Sequence, residues 1–159
     1  MILLDTNVLS ALMKPSPVQS VVDWLDAKET TVLYLSTVTV AEVVFGLRIM
    51  PPGKRRTAMA AVFEEILAKG FSQRLLSFDE SAARSYGEIV GRRRELGRPM
   101  GALDGQIAAI AHARRFAIAT GNVKDFEDCG LRILNPFEPK KERDSAQGSA
   151  DPDASRGRE

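Results

Sequence analysis

The chain opens Met1-Ile2-Leu3-Leu4-Asp5-Thr6-Asn7-Val8. Four apolar residues read as a buried strand, and Asp5 then forces a charge to its end. An open parallel sheet places its ligands in the crevice beyond the carboxyl ends of its strands, so a carboxylate here faces that crevice. The same Asp also fits the N-cap of a helix starting near Val8. Chemistry and capping are told apart by which other carboxylates reach the same rim.

Working outward, four more short apolar or β-branched runs predict strands: Val32 to Ser36, Arg74 to Phe78, Phe116 to Thr120 and Leu131 to Leu134. Helical periodicity fills the intervals. Pro17 to Ala27 carries Val18, Val21, Val22 and Leu25 on one face, and Thr39 to Met50 carries Val40, Val43, Val44 and Leu47. Pro51-Pro52-Gly53 breaks the chain, and Lys54 to Lys69 restarts a helix that ends at Gly70. Ser81 to Leu96 is stopped by Gly97 and Pro99, and the Ala-rich Leu103 to Arg115 suits close packing on a sheet. Strands alternating with helices predict an α/β fold, a mostly parallel five-stranded sheet flanked by helices. From Lys140 the chain turns polar with almost nothing to bury, so a folded domain over 1–139 and a disordered tail over 140–159 are expected.

The length of 159 residues suits one domain with a sizeable core, and 44% hydrophobic with 27% charged residues is the composition of a soluble globular protein. A net charge of +1 excludes a global positive field, so an anionic substrate has to be met by local clusters or by bound metal. The single cysteine, Cys129, cannot close an internal disulfide; it reads as a small buried hydrophobe in a reducing compartment, and a cytoplasmic location is expected. The opening stretch lacks a basic region and is interrupted by Asp5, so no signal peptide is expected. No run of about 18 uncharged apolar residues predicts a membrane span.

In right-handed strand-helix-strand units, each helix begins at the carboxyl edge of the sheet. That selects Glu42, Asp79, Asp104 and Asp125 to join Asp5. Each has a second reading. Thr39-Val40-Ala41-Glu42 matches a capping box, and Asp79 and Asp104 both fit N-caps at the positive end of a helix. As a group they repel one another unless a cation sits among them. Oxygen-only ligation, with no histidine or cysteine at hand, suits Mg²⁺ or Mn²⁺ and not zinc. His112 lies beside Arg114 and Arg115 and reads as a surface residue. No Ser-His-Asp arrangement, phosphate-cradling Walker loop or cysteine-zinc spacing is present.

Four blocks then resemble one family, in order: Ile2-Leu3-Leu4-Asp5-Thr6-Asn7-Val8-Leu9-Ser10, Leu35-Ser36-Thr37-Val38-Thr39-Val40-Ala41-Glu42, Asp104-Gly105-Gln106-Ile107-Ala108-Ala109-Ile110-Ala111, and Ala119-Thr120-Gly121-Asn122-Val123-Lys124-Asp125-Phe126, closed by Asn135-Pro136-Phe137. They resemble the PIN-domain nucleases, in particular the VapC/FitB-like toxins of bacterial toxin-antitoxin pairs, over about Met1 to Phe137. The resemblance implies a three-layer PIN-like sandwich and Mg²⁺-dependent endoribonuclease activity, with Mn²⁺ as a substitute. It assigns the acidic metal site to Asp5, Glu42 and Asp104, and leaves Asp79 as a cap. The fourth family position is often Asp in a Thr-x-Asp pattern; here Thr120-Gly121-Asn122 departs from it, leaving Asn122 to offer a carbonyl oxygen or hold water and Asp125 to assist. Thr6 and Asn7 are expected to orient Asp5, and Thr120 to hold substrate or water; all three also fit turn chemistry.

In the implied reaction, metal held by Asp5 and Asp104 activates water for in-line attack on an RNA phosphodiester, with Glu42 as ligand or base, giving 5′-phosphate and 3′-hydroxyl ends. A nearly neutral protein needs basic residues at the mouth of such a pocket. Lys54-Arg55-Arg56, Arg92-Arg93-Arg94 with Arg98, and Arg114-Arg115 are the clusters, each also readable as a solvated helix face. Arg92, Arg93, Arg94 and Arg98 are preferred because their segment leads into Asp104. The resemblance also implies a cognate antitoxin and a homodimer or higher complex. The competing expectation, kept open by Asn122, is a catalytically weakened PIN domain that acts mainly as the binding and co-regulatory partner of a DNA-binding antitoxin.

Overall fold

Five strands form one sheet in the computed structural model, which describes residues 1–138; the expected polar tail over 140–159 lies outside the described residues. They are β1 (Ile2–Leu4), β2 (Leu33–Ser36), β3 (Leu75–Leu76), β4 (Ala117–Ala119) and β5 (Ile133–Leu134), in the order β3-β2-β1-β4-β5. Every neighbouring pair is parallel. Ile2 lies opposite both Leu33 and Ala117, so the opening strand is the centre of the sheet. The strand order reverses there: β2 and β3 extend one way and β4 and β5 the other. A crevice at such a reversal is where an open α/β sheet binds its ligands.

Helices cover both faces: α1 (Thr6–Leu12), α2 (Gln19–Asp26), α3 (Thr37–Ile49), α4 (Lys54–Glu65), α5 (Glu80–Glu95), α6 (Ala102–Arg114) and the single turn α7 (Val123–Phe126). Successive residues of β1 point to opposite sides. Ile2 and Leu4 pack with Val8, Leu9, Val21, Val43 and Phe63, whereas Leu3 packs with Ile89, Ile107, Ile110, Ile118 and Phe126. Two cores therefore sandwich the sheet, one built mainly from α1 to α4 and the other mainly from α5 and α6. This is the three-layer α/β architecture that the alternating pattern predicts.

The elements differ from expectation in detail. The expected helix over Lys54 to Lys69 ends at Glu65 and continues as a π-helical turn, Ile66–Phe71. Its i to i+5 repeat lines Ile66 up with Phe71, and both pack on the first core. Helix α1 holds only seven residues and α7 only four, too few for a helical period to be read in the sequence.

One departure from simple strand-helix alternation matters for function. Helices α5 and α6 form an antiparallel pair between β3 and β4, so α5 starts at the amino edge of the sheet and ends at the carboxyl edge. Gly105 permits their close approach. A Cβ there would stand 2.8 Å from Tyr86 Cε2 and 2.9 Å from Val90 Cγ2. Gly105→Val is expected to cost about 2 kcal/mol of stability, in the range of overpacked cores and outweighing the smaller gain in helix propensity. Urea denaturation checks this, and an unchanged midpoint would show that the interface yields freely.

Candidate active site

Asp5 follows the central strand and is almost wholly buried, at 3% exposure. Its backbone amide extends the β1–β4 ladder by donating to Ala119 O at 2.9 Å. The side chain is held from two sides. Oδ1 accepts the Thr6 amide at 2.8 Å, which makes Asp5 the N-cap of α1; Oδ2 accepts Asn7 Nδ2 at 2.6 Å and the Thr120 hydroxyl at 2.7 Å. Capping and membership of the acidic rim are thus one geometry. The other Asn7 amide atom, Oδ1, accepts the Gly121 amide at 3.0 Å, and Thr120 Oγ1 accepts both Asn7 Nδ2 at 3.0 Å and the Asn122 amide at 2.9 Å. Asn7 and Thr120 tie the turn after β1 to the turn after β4, across the reversal of strand order.

Glu42 reaches this network from the neighbouring helix: the Thr6 hydroxyl donates to its Oε2 at 2.5 Å. The expected capping box is absent. Helix α3 starts at Thr37, two residues earlier than the sequence pattern suggested, and its N-cap is Ser36, whose hydroxyl accepts the Thr39 amide at 2.9 Å. Glu42 therefore lies in the second turn, where a capping box has no use for it. Asp104 is half-buried in the first turn of α6, whose N-cap is Gly101. Gly101 leaves space for it, since a Cβ there would lie 3.2 Å from Asp104 Oδ2.

Asp79 is a cap, accepting the Ala82 amide at 2.9 Å, and it also pairs with Arg114 at 2.7 Å. Because α5 starts at the amino edge, Asp79 stands at the end of the sheet opposite Asp5. The assumption that every helix begins at the carboxyl edge fails for α5.

Charge dominates the rim. The Asp5 carboxyl is pushed up to about 6, first by burial, against the lowering effect of the Thr120 and Thr6 hydrogen bonds, with Asp104 and Glu42 adding to the rise. Asp104 is raised as well, by burial and then by the charges of Asp125 and Glu42. Among the described residues, none of these four carboxylates is in a salt bridge. No three acidic, histidine or cysteine side chains among them stand close enough to cage a metal ion unaided. The donor set is thus all oxygen, under-neutralised and open, which fits a hard cation that keeps part of its water shell, as Mg²⁺ does.

Asn122 is exposed; it precedes α7, and its side chain caps nothing there. Asp125 is exposed on α7. Beside them a cavity of about 430 Å³ is lined by Asn7, Ser10, Lys14, Gly121, Asn122 and Phe137, and another of about 460 Å³ runs along Gly121 to Asp125 with Asn135 and Glu138. Lys14 is exposed at this mouth, and nothing in its local sequence distinguished it.

The arginine cluster divides. Arg93 is buried at 4% exposure, and its guanidinium donates to the carbonyls of Arg98, Lys124 and Glu127. It faces inward, so it is not a nucleic-acid contact. Its spacing from Ala82 and Ile89, eleven and four residues, places it on the core face of α5 and was the available signal. Arg98 is half-exposed but paired with Glu127 at 3.2 Å and Asp128 at 2.7 Å. Arg92 and Arg94 remain exposed on the last turn of α5.

A central strand ending in a buried Asp, with acids from α3 and α6 converging on it, defines the class. The PIN domain model matches residues 2–129, and the chain belongs to the PIN-domain family. Within that family it is similar to toxins. It is 45% identical over 139 residues, 87% of this chain and 99% of the relative, to VapC ribonuclease Y4jK of Sinorhizobium fredii. It is 36% identical to Toxin FitB of Neisseria gonorrhoeae, over 86% of this chain and 99% of that one. The solved structure of FitAB bound to an IR36 DNA fragment superposes with a TM-score of 0.81 at 34% identity, covering 90% of this chain and all of that one.

The raised Asp5 value has a consequence for stability. The folded state holds this proton more tightly than the unfolded chain, whose Asp titrates near 3.9, so the contribution is present below about pH 4 and is lost as pH climbs through about 6. In chelator, the stability of the wild type relative to Asp5→Asn is expected to fall by up to about 3 kcal/mol between about pH 4 and 6 and then level off. Urea denaturation at several pH values reads this difference; a pH-independent difference would contradict the buried-acid account.

Proposed function

We propose that the protein is a metal-dependent endoribonuclease, the toxin of a toxin-antitoxin pair acting in the cytoplasm. The observation that carries the reading is the set of four mutually repelling, unpaired carboxylates at the reversal of strand order. Similarity to a VapC ribonuclease over nearly its whole length supports RNA as the substrate class. Asp5, Asp104 and Glu42 would hold a hydrated Mg²⁺, or Mn²⁺ in its place. The chemistry such an ion supplies is polarisation of a phosphoryl oxygen and acidification of coordinated water.

The residues of the chain do the rest. Thr6, Asn7 and Thr120 fix the Asp5 carboxylate before any ligand arrives, so no reorganisation is needed at the moment of reaction. Thr6 occupies Glu42 Oε2, leaving Oε1 to take a proton from water. As that proton leaves, the water oxygen bonds to phosphorus and the bond from phosphorus to the 3′-oxygen breaks. The products are a 5′-phosphate and a 3′-hydroxyl, the latter protonated from solvent. Asn122 and Asp125 would bind water at the fourth corner. Lys14 from one side and Arg92 and Arg94 from the other would meet backbone phosphates. With few aromatic side chains for base stacking, recognition would depend on RNA shape.

A FitAB structure on DNA supports an antitoxin partner that binds operator DNA, and a homodimer or larger toxin-antitoxin assembly. The exposed, uncharged Asn122 favours a second reading, a PIN domain with weakened catalysis that serves its antitoxin as co-regulator.

Protein freed of antitoxin is expected to cleave RNA with Mg²⁺ or Mn²⁺ and to stop in chelator. Asp104→Asn should lose at least about a hundredfold in rate with its melting temperature unchanged or higher, more than the removal of a residue that only orients a ligand costs. Cleavage indifferent to chelator and to Asp104→Asn would refute the metal mechanism, and inactivity on a broad RNA panel would select the second reading. Lys14→Ala should weaken RNA binding evenly across sequences and reduce the slope of log affinity against log salt by about one. An unchanged slope would remove Lys14 from the interface.

A further inference from the structure

A cavity of about 600 Å³ lies at the other end of the sheet from the carboxylates. Its floor includes Ile2 and Ala117, the first residues of β1 and β4, whereas Asp5 and Thr120 follow the last residues of those strands. The rim carries His112, Arg115 and Arg132, and no acidic residue lines it. Both arginines are exposed, and among the described residues neither is in an ion pair, unlike adjacent Arg114, which is held by Asp79. Ile2, Val32, Phe116 and Leu131 give the cavity an apolar lining beside these cations; Tyr34 packs against Phe116 with ring centroids 4.9 Å apart.

Arg115 is also an unusual residue for its place. It ends α6 in the left-handed conformation, φ 56 and ψ 38, where glycine is the ordinary occupant because a Cβ is disfavoured. The backbone there bears a cost that glycine would remove, and what arginine adds is a guanidinium at the cavity rim. Two unpaired guanidinium groups above an apolar floor, within a volume in the usual range of about 300–1,000 Å³ for small-molecule sites, match a particular ligand chemistry.

We infer that this cavity is a second binding site, for a nucleoside phosphate, with the phosphate on Arg115 and Arg132 and the base on the apolar floor beside Phe116. The ligand is either a free nucleotide or one unit of an RNA chain; the chemistry recognised is the same. The site stands apart from the nuclease reading, since binding here requires no cleavage and none of the carboxylates.

The test uses Asp104→Asn protein in chelator, so that no RNA is consumed, titrated with AMP, with inorganic phosphate and with a short oligoribonucleotide while backbone amide NMR shifts are followed. AMP is expected to move the amides of Ala117, Gly130 and Leu131. Adding Arg115→Gly or Arg132→Met should weaken AMP binding by about tenfold or more, the loss that accompanies removal of a charge-assisted hydrogen bond. Arg115→Gly relieves the left-handed strain, so its melting temperature should not fall and lost binding cannot be lost folding. An oligoribonucleotide that binds more tightly than AMP, with the same dependence on both arginines, assigns the site to an RNA chain; equal affinities assign it to a free nucleotide. No shifts at millimolar AMP, binding that survives both substitutions, or inorganic phosphate binding as tightly as AMP would each overturn the proposal.

Discussion

The structure depends on one costly placement, an aspartate carboxylate buried at the end of the central strand. Ionised and unsupported, such a group would be expelled or neutralised. Here an amide, a carboxamide and a hydroxyl converge on it, two from the turn that follows β1 and one from the end of β4. The strands on either side of the reversal in order are therefore joined through Asp5 as well as through the sheet. Support of this kind makes the charge tolerable without cancelling it, and its proton affinity stays raised. Glu42 and Asp104 add negative charge to a group that is already unfavourable. An arrangement built for stability alone would place an arginine there, and among the described residues none of these acids is in an ion pair, which is the physical ground for the metal site proposed above.

How much of this was legible in the sequence follows from which signals are local. Leu3 and Leu4 alternate between two cores, and an all-apolar opening run is what a strand buried on both faces requires. The five strands and five longer helices were readable for that reason. Helices α1 and α7, at seven and four residues, were too short to show a period, and Asp5 alone announced α1 by its capping chemistry. The start of α3 was misplaced by two residues because Ser36 and Thr39 are both good caps, and only burial of both hydroxyls, 3.0 Å apart, decides between them.

The acidic rim was legible only in part, because topology assigns an acid to one edge or the other. Asp79 and Asp104 look alike in sequence, each at the start of a helix with small residues after it. They end on opposite edges because α5 and α6 run antiparallel, a fact carried by side chains far apart in sequence, including Arg114 on Asp79. Arg93 misleads for a related reason. Three consecutive arginines suggest a solvated basic face, yet the middle one is buried and satisfied by three carbonyls, two of them at the ends of the α7 segment. Among the described residues it has no carboxylate partner for the sequence to show. Its positive charge instead joins the end of α5 to the loop that carries Asn122 and Asp125.

The α5–α6 pair also sets how charge is distributed over a protein of net charge +1. Helix ends sort charge, acids being favoured at N-termini and bases at C-termini. In a uniformly alternating fold, the carboxyl edge would collect N-termini and acids while every basic last turn lay at the opposite edge. Helix α6 obeys this pattern, with Asp104 in its first turn and Arg114 in its last. Helix α5 reverses it, bringing the last turn with Arg92 and Arg94 to the acidic edge. The reversal supplies cations beside a carboxylate crevice without placing any of them within it. Under the proposed function, a polyanion would be attracted to the rim while the carboxylates stayed un-neutralised for a metal ion, two requirements that a single mixed cluster of charges could not meet.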